Sequence, residues 1–402
     1  MADSAPTSRT SPDSPGEVIA LQPLSYSKHI PALDGLRGVA ILMVMCVHFL
    51  AVCKSEILPF GPDITRLFFK IAGQGALGVN LFFVLSGFLI TGILIDTKDC
   101  RNYFFTFYAR RVVRIFPVYY LTLFATLFIL PRAVAAPFSP SQNMVDNQVY
   151  LWCYAINIPP LSYLSFEDGN WSFSHFWSLA VEEHFYLLWP LIVYILPRRL
   201  LATSCCVVAV AAMVCRSAFA MLGADGLTIL TFTPCRADSL AIGGVVAVLI
   251  RGRWGRTMLR VCRGSLGVSV VLLLVLVFID PANYGIHVMH YTVSAIMFAC
   301  ILVLAIHAPD GSLLSRCLNA RGLRFVGQVS YGLYIFHFVC LGLFVRVLPP
   351  SSLTLLTGSR IVGIVSFCGI ATGLTLAVAS LSWFLFESQV LKLKRRFRYQ
   401  SG

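Results

Sequence analysis

Hydrophobic residues in this chain fall in long blocks parted by short polar stretches, without the alternation of half-buried strands. Ten blocks read as helices that cross a bilayer: 38–54, 76–95, 113–131, 176–196, 201–222, 237–250, 265–280, 288–307, 329–348 and 364–386. The sixth and seventh are short for a hydrocarbon layer of ~30 Å. The pattern predicts an all-α polytopic membrane protein, a single bundle of about ten transmembrane helices within 29–390. Residues 1–28, rich in Ser, Pro, Thr and Asp, read as a disordered tail, with neither the apolar core nor the cleavage site of a signal peptide. Residues 391–402 read as a second, basic tail with no soluble domain after the last span. No internal repeat is visible, which weighs against the repeat-built transporter folds.

Composition fixes the class. Of the 402 residues 57% are hydrophobic and 12% charged, well under the roughly 25% of soluble domains. A net charge of +13 raises the question of nucleic acid, but its distribution gives another answer. Basic residues collect at every second loop: Lys98 to Arg114, Arg198 and Arg199, Arg251 to Arg263, Arg316 to Arg324, and Lys392 to Arg398. With Arg9, Lys28 and Arg37 these make twenty-three of the thirty-one Lys and Arg. The positive-inside rule then places both termini in the cytoplasm of a multi-pass plasma (inner) membrane protein, which requires an even number of spans. The long loop from Pro131 to about His175 is expected outside, where it can cover an outward-facing site. Most of the thirteen cysteines lie in spans or at inner loops, and Cys205–Cys206 is adjacent rather than spaced as zinc ligands are. No disulfide framework and no metal are expected.

Ionisable residues within the apolar runs carry the candidate chemistry, because charge inside a membrane is costly and marks function by default. In IPALDGLRGVAILMVMCVHFLAVC, Arg37 and His48 are eleven residues apart, three turns, so they share a helix face ~16.5 Å apart along the axis. The plain alternative for His48 is a snorkelling or carbonyl-capping side chain. In FYARRVVRIFPVYYL, Arg111 and Arg114 share a face at the inner mouth of the third span and suit a multiply charged anion, although topology alone also puts arginines there. Pro117 is expected to kink that helix.

The fourth span opens WSFSHFWSLAVEEHFYLLWP, with Trp171 and Trp177 suited to the interface. Glu182 and Glu183 must point about 100° apart. Glu182 lies ~9 Å below the outer boundary, about 21 Å from the inner one against ~16.5 Å for His48. The two are thus expected at one level, where a carboxylate orients an imidazole and raises its basicity. The plain alternative pairs one acid with a structural arginine.

Seven segments in this order resemble the acyltransferase-3 family of integral membrane O-acyltransferases: LDGLRGVAILMVMCVH, GVNLFFVLSGFLITGIL, FYARRVVRIFP, FWSLAVEEHFYLLWP, PCRADSLAIGGVVAVL, VSYGLYIFHF and SWFLFES. The resemblance runs from Ile30 to about Val390. It implies transfer of an acyl group, usually acetyl from acetyl-CoA as co-substrate, to a hydroxyl of a glycan, glycolipid or glycosylated metabolite. On this resemblance the first-helix arginine and histidine fall on Arg37 and His48, the RxxR pair on Arg111 and Arg114, and the fourth-helix acid on Glu182, with Glu183 adjacent. His184 stands where relatives often carry glutamine. Many relatives also carry a C-terminal esterase-like domain, which is not seen here, so transfer is expected within the membrane domain or with a separate partner.

The implied mechanism puts acyl-CoA phosphates at Arg111 and Arg114 and the acyl end toward His48. His48 acts as general base, with Glu182 or Asp34 tuning it, or as a covalent acyl carrier. Arg37 is assigned either to the donor or to the thioester's developing oxyanion. Arg236 and Asp238 are expected to pair with each other in preference to lining an acceptor path, Tyr331 and Tyr334 to line the cavity, His337 either to line it or to be a satisfied structural histidine, Glu387 to hold an arginine, and Ser86 to permit close helix packing. The competing class is a polytopic transporter exporting an acylated metabolite, since membrane His and Glu also serve proton relays. Consumption of acyl-CoA with release of free CoA separates the two.

Overall fold

The computed structural model describes residues 29–133, 142–158, 173–252, 255–279 and 284–400. The tail 1–28 and most of the long loop, with Glu167, Asp168 and Trp171, lie outside the described residues.

Among the described residues ten long helices form the bundle: α1 Pro31–Val52, α2 Leu77–Asp96, α3 Tyr103–Phe124, α4 Phe176–Ile195, α5 Arg198–Met221, α6 Thr233–Ile250, α7 Gly255–Phe278, α8 Tyr284–Ile306, α9 Ser330–Val347 and α10 Arg360–Ser382. Among the described residues, nine helices are individually long and apolar enough to cross a membrane. The tenth is α4, whose mean hydropathy is lowered by Glu182, Glu183 and His184 at its middle. The chain is therefore an all-α multi-pass membrane protein of about ten helices.

Boundaries moved where polarity and helix propensity disagree. Helix α3 begins ten residues before its apolar block, because arginine is a good helix former even where it is a poor lipid neighbour. Arg111 and Arg114 consequently lie two turns or more from the first residue of α3. The helix runs through Pro117, which has no N–H to give to the ladder, and its hydrogen-bonding changes again at a π-helical turn, Ala125–Ile129. The basic C-terminal segment is docked, not loose. Arg110 Nε donates to the Phe397 carbonyl at 2.7 Å, and Asn102 donates to that of Arg398 at 2.8 Å.

Helix α2 is central: 83% of its span is buried, against 17% for α7. Small residues let backbones approach there. A methyl on Gly87 would sit 1.9 Å from the Leu240 carbonyl of α6, and one on Gly243 would sit 2.1 Å from the Val84 carbonyl of α2. Outward faces stay apolar, with Val207, Val210 and Val214 on α5 and Val268 and Val271 on α7 exposed where lipid belongs.

A buried ion pair ties α5, α6 and α8. Arg216 donates to Asp238 at 2.8 Å with neither side chain exposed, and also to the Val288 carbonyl at 3.1 Å. Asp238 accepts further bonds from Thr292 at 2.6 Å and the Ser239 amide at 2.9 Å. The expected Arg236–Asp238 pair is thus replaced by Arg216–Asp238. Residues two apart on a helix face different sides and cannot meet.

Candidate active site

Helices α1, α2, α3, α4 and α9 bring Arg37, Ser86, Arg111, Arg114, Glu182, Glu183 and Tyr331 to one cavity of about 110 Å³. Arg111 and Arg114 point into it together, as their spacing requires. Arg111 packs its guanidinium 5.8 Å from the Phe107 ring and 5.9 Å from that of Tyr186, and its buried Nε has no hydrogen-bond partner. One oxygen of Glu183 is likewise buried and unpartnered. Ser86 hydrogen-bonds Tyr186 at 2.6 Å, and both hydroxyls face Glu182. Ser86 therefore lines the cavity, and the neighbouring Gly87 is the residue that permits close packing.

Arg37, Arg114 and Tyr331 also line an adjoining vestibule of about 340 Å³ with Arg324, Gln328 and Glu387. Arg37 donates to Asp34 at 3.2 Å, and Asp34 also meets His29 at 2.8 Å. Glu387 accepts a bond from Ser382 at 3.0 Å rather than holding an arginine. This end of the bundle presents an array of guanidinium groups, several without a carboxylate partner, and so suits a polyanion.

His48 is at the other end of α1 and opens into a different cavity of about 850 Å³, lined also by His175, Trp177, Arg236 and Tyr291. Tyr334 and Val79 belong to both cavities and form the wall between them. The Tyr334 hydroxyl is held by Ser178 at 2.5 Å and by the His175 carbonyl at 2.7 Å.

The expected Glu182–His48 partnership is not what the structure contains. Glu182 stands in the arginine cavity, and Asp34 is occupied by Arg37 and His29 about four turns from His48. The partner of His48 is His337 of α9, with 3.0 Å between His48 Nδ1 and His337 Nε2. Their rings lie 5.1 Å apart and 19° from parallel, and Phe338 sits 4.5 Å from His48. His337 is fully buried behind His48 with both ring nitrogens hydrogen-bonded, the structural one of its two expected readings, whereas Tyr331 and Tyr334 line the cavity. His184 hydrogen-bonds Thr233 at 2.7 Å.

Of the residues lining the histidine cavity, His175 escaped the sequence reading and Arg236 was assigned there chiefly to a pair with Asp238. His175, just before α4, has its ring 4.8 Å from that of His337. Its signal was a histidine beside the interfacial Trp177. Arg236 is 1% exposed, stacks 4.1 Å over the Tyr291 ring and donates to Asn80, while its Nε and Nη1 have no partner. Its signal was a charge buried in a span with no acid three or four residues away.

Helical architecture and paired polar cavities together define a membrane-embedded enzyme-like core. A match of residues 30–382 to the acyltransferase domain family model goes further: the chain belongs to that family. It is 28% identical over 334 residues to the Bacillus subtilis protein named "Putative peptidoglycan O-acetyltransferase YrhL", covering 78% of this chain and 49% of that one. It is 25% identical over 337 residues to O-acetyltransferase OatA of Staphylococcus aureus, covering 79% and 51%. Peptidoglycan O-acetyltransferase OatA of Listeria monocytogenes is 25% identical over 340 residues, covering 80% and 51%. The chain thus spans about half the length of the curated relatives it matches. No solved structure matches it.

Proposed function

We propose that this protein is a membrane O-acetyltransferase that takes an acetyl group from acetyl-CoA at the cytoplasmic face and esterifies a glycan hydroxyl on the other. The relatives' names point to peptidoglycan as the acceptor. The observation that carries the reading is the pair of adjoining cavities, one lined by arginines and one by the histidine, with Tyr334 between them.

Arg111 and Arg114, with Arg37 beside them, hold the donor's phosphates. Arg37 is assigned to the donor and not to the oxyanion, because it opens into the other cavity from His48. The acyl end passes the Tyr334 wall to reach His48. His48 takes the acceptor hydroxyl's proton as that oxygen attacks the thioester carbonyl, the C–S bond breaks, and the CoA thiolate receives the proton. Arg236, with two unpartnered N–H groups at the same cavity, is the buried cation available to the oxyanion.

The test uses purified protein in nanodiscs with radiolabelled acetyl-CoA and peptidoglycan glycan chains. One free CoA should appear per ester formed. No CoA release with any hydroxyl acceptor would remove the assignment.

A further inference from the structure

His48 is held by a chain of two hydrogen bonds that ends on the backbone. His337 Nδ1 lies 2.7 Å from the Tyr334 carbonyl oxygen on its own helix. A carbonyl oxygen has no proton to give, so the proton in that bond is on Nδ1 of His337. A neutral imidazole carries one proton, which leaves Nε2 of His337 as a bare acceptor. That atom is 3.0 Å from His48 Nδ1, which must supply the proton between them. With its single proton committed at Nδ1, neutral His48 presents a lone pair at Nε2.

We propose that His337 is the positioning residue that fixes His48 as its Nδ1–H tautomer, so that Nε2 is the atom that deprotonates the acceptor. This rests on the reading of His48 as the general base. The holder is rigid: His337 is fully buried, with the rings of His175 and Phe338 each 4.8 Å from its own. The reverse arrangement, a doubly protonated His337 donating to His48, buries a charge with no carboxylate among the described residues in contact with either ring. In that arrangement the donated proton occupies the Nδ1 lone pair of His48, whose own proton moves to Nε2, where it cannot act as a base. Because the chain ends at a carbonyl, a proton taken by His48 has nowhere further to go and leaves with the thiolate. The chain orients; it does not relay.

The test replaces His337 with Leu, which fills space but accepts nothing, and with Gln, whose amide oxygen can accept from His48 Nδ1. His337→Leu should lower kcat by about 10²-fold, the lower end of what general-base catalysis contributes, with KM for acetyl-CoA unchanged. His337→Gln should recover at least a tenth of the wild-type rate. Ring ¹⁵N spectra of histidine-labelled wild-type protein give a second readout, with His48 assigned by the signal lost in His48→Ala. They should show His48 protonated at Nδ1 and bare at Nε2, and mixed tautomers in His337→Leu. An Nε2-protonated His48 in the wild type, or a full kcat in His337→Leu, overturns the proposal. If the spectra are as expected while His48→Ala remains active, the general-base reading fails and the positioning stands.

Discussion

The two cavities solve different problems with different residues. The arginine cavity holds fixed charges within the bundle, some deliberately unpaired, and so offers binding strength to an anion. The histidine cavity places its reactive ring on a chain of neutral hydrogen bonds, and so offers direction to a proton. On the proposed function the difference teaches that recognition and chemistry are separated by about three turns of one helix, α1, whose ends carry Arg37 and His48. A mutation at one end should leave the function of the other intact.

The all-or-none test of that separation is orientation. Cys153 and Cys317 are both exposed and belong to opposite ends of the bundle. An impermeant maleimide added to intact cells should label Cys153 and spare Cys317. The reverse would put the arginine cavity outside, away from cytoplasmic acyl-CoA. Next in size is His48→Ala, which should cost 10²–10⁴-fold in transfer while acetyl-CoA still binds. Near-normal turnover would take this ring out of the chemistry.

Arg111→Ala and Arg114→Ala should each weaken acetyl-CoA binding by roughly 10- to 100-fold, the worth of one hydrogen bond to a charged group, with the fold kept. Lysine should restore part, since an ammonium lacks the bidentate geometry. Calorimetry showing unchanged affinity in the double alanine protein would break the comparison at its binding end. Glu182→Gln should have the least effect on the chemical step, under about tenfold, because the carboxylate stands across the wall from His48. A loss as large as that of His48→Ala would join the two cavities into one catalytic unit.

The bundle was legible because its evidence is local. Ten apolar runs, and basic residues at alternate loops, are properties of consecutive residues. The start of α3 was misplaced because hydropathy reports what lipid tolerates, while Arg110, Arg111 and Arg114 report what a helix tolerates. The grouping of Arg37, Arg111 and Arg114 is also in accord with their spacing and with the resemblance, whereas Glu182 joins them against the reading that set it level with His48. The partner of His48 was not legible. Depth along a helix gave Glu182 and His48 a common level, but depth carries no information on which way each helix is turned, and 289 residues separate His48 from His337. Arg236 and Asp238 were a misreading of available evidence, since a separation of two positions already forbids their pairing.

The Tyr334 wall has a consequence for the cell's energy supply. Polar cavities entered from both faces form a would-be conductor, and each elementary charge that leaks across yields about 2.3 kcal/mol per 100 mV to heat. Tyr334, clamped at its hydroxyl by Ser178 and the His175 backbone, stands between the two cavities with a ring that carries no charge. An acyl group is neutral and a proton is not. On the proposed function, a side chain that yields to the first and blocks the second would let the membrane remain an insulator while an acyl group passes through its interior.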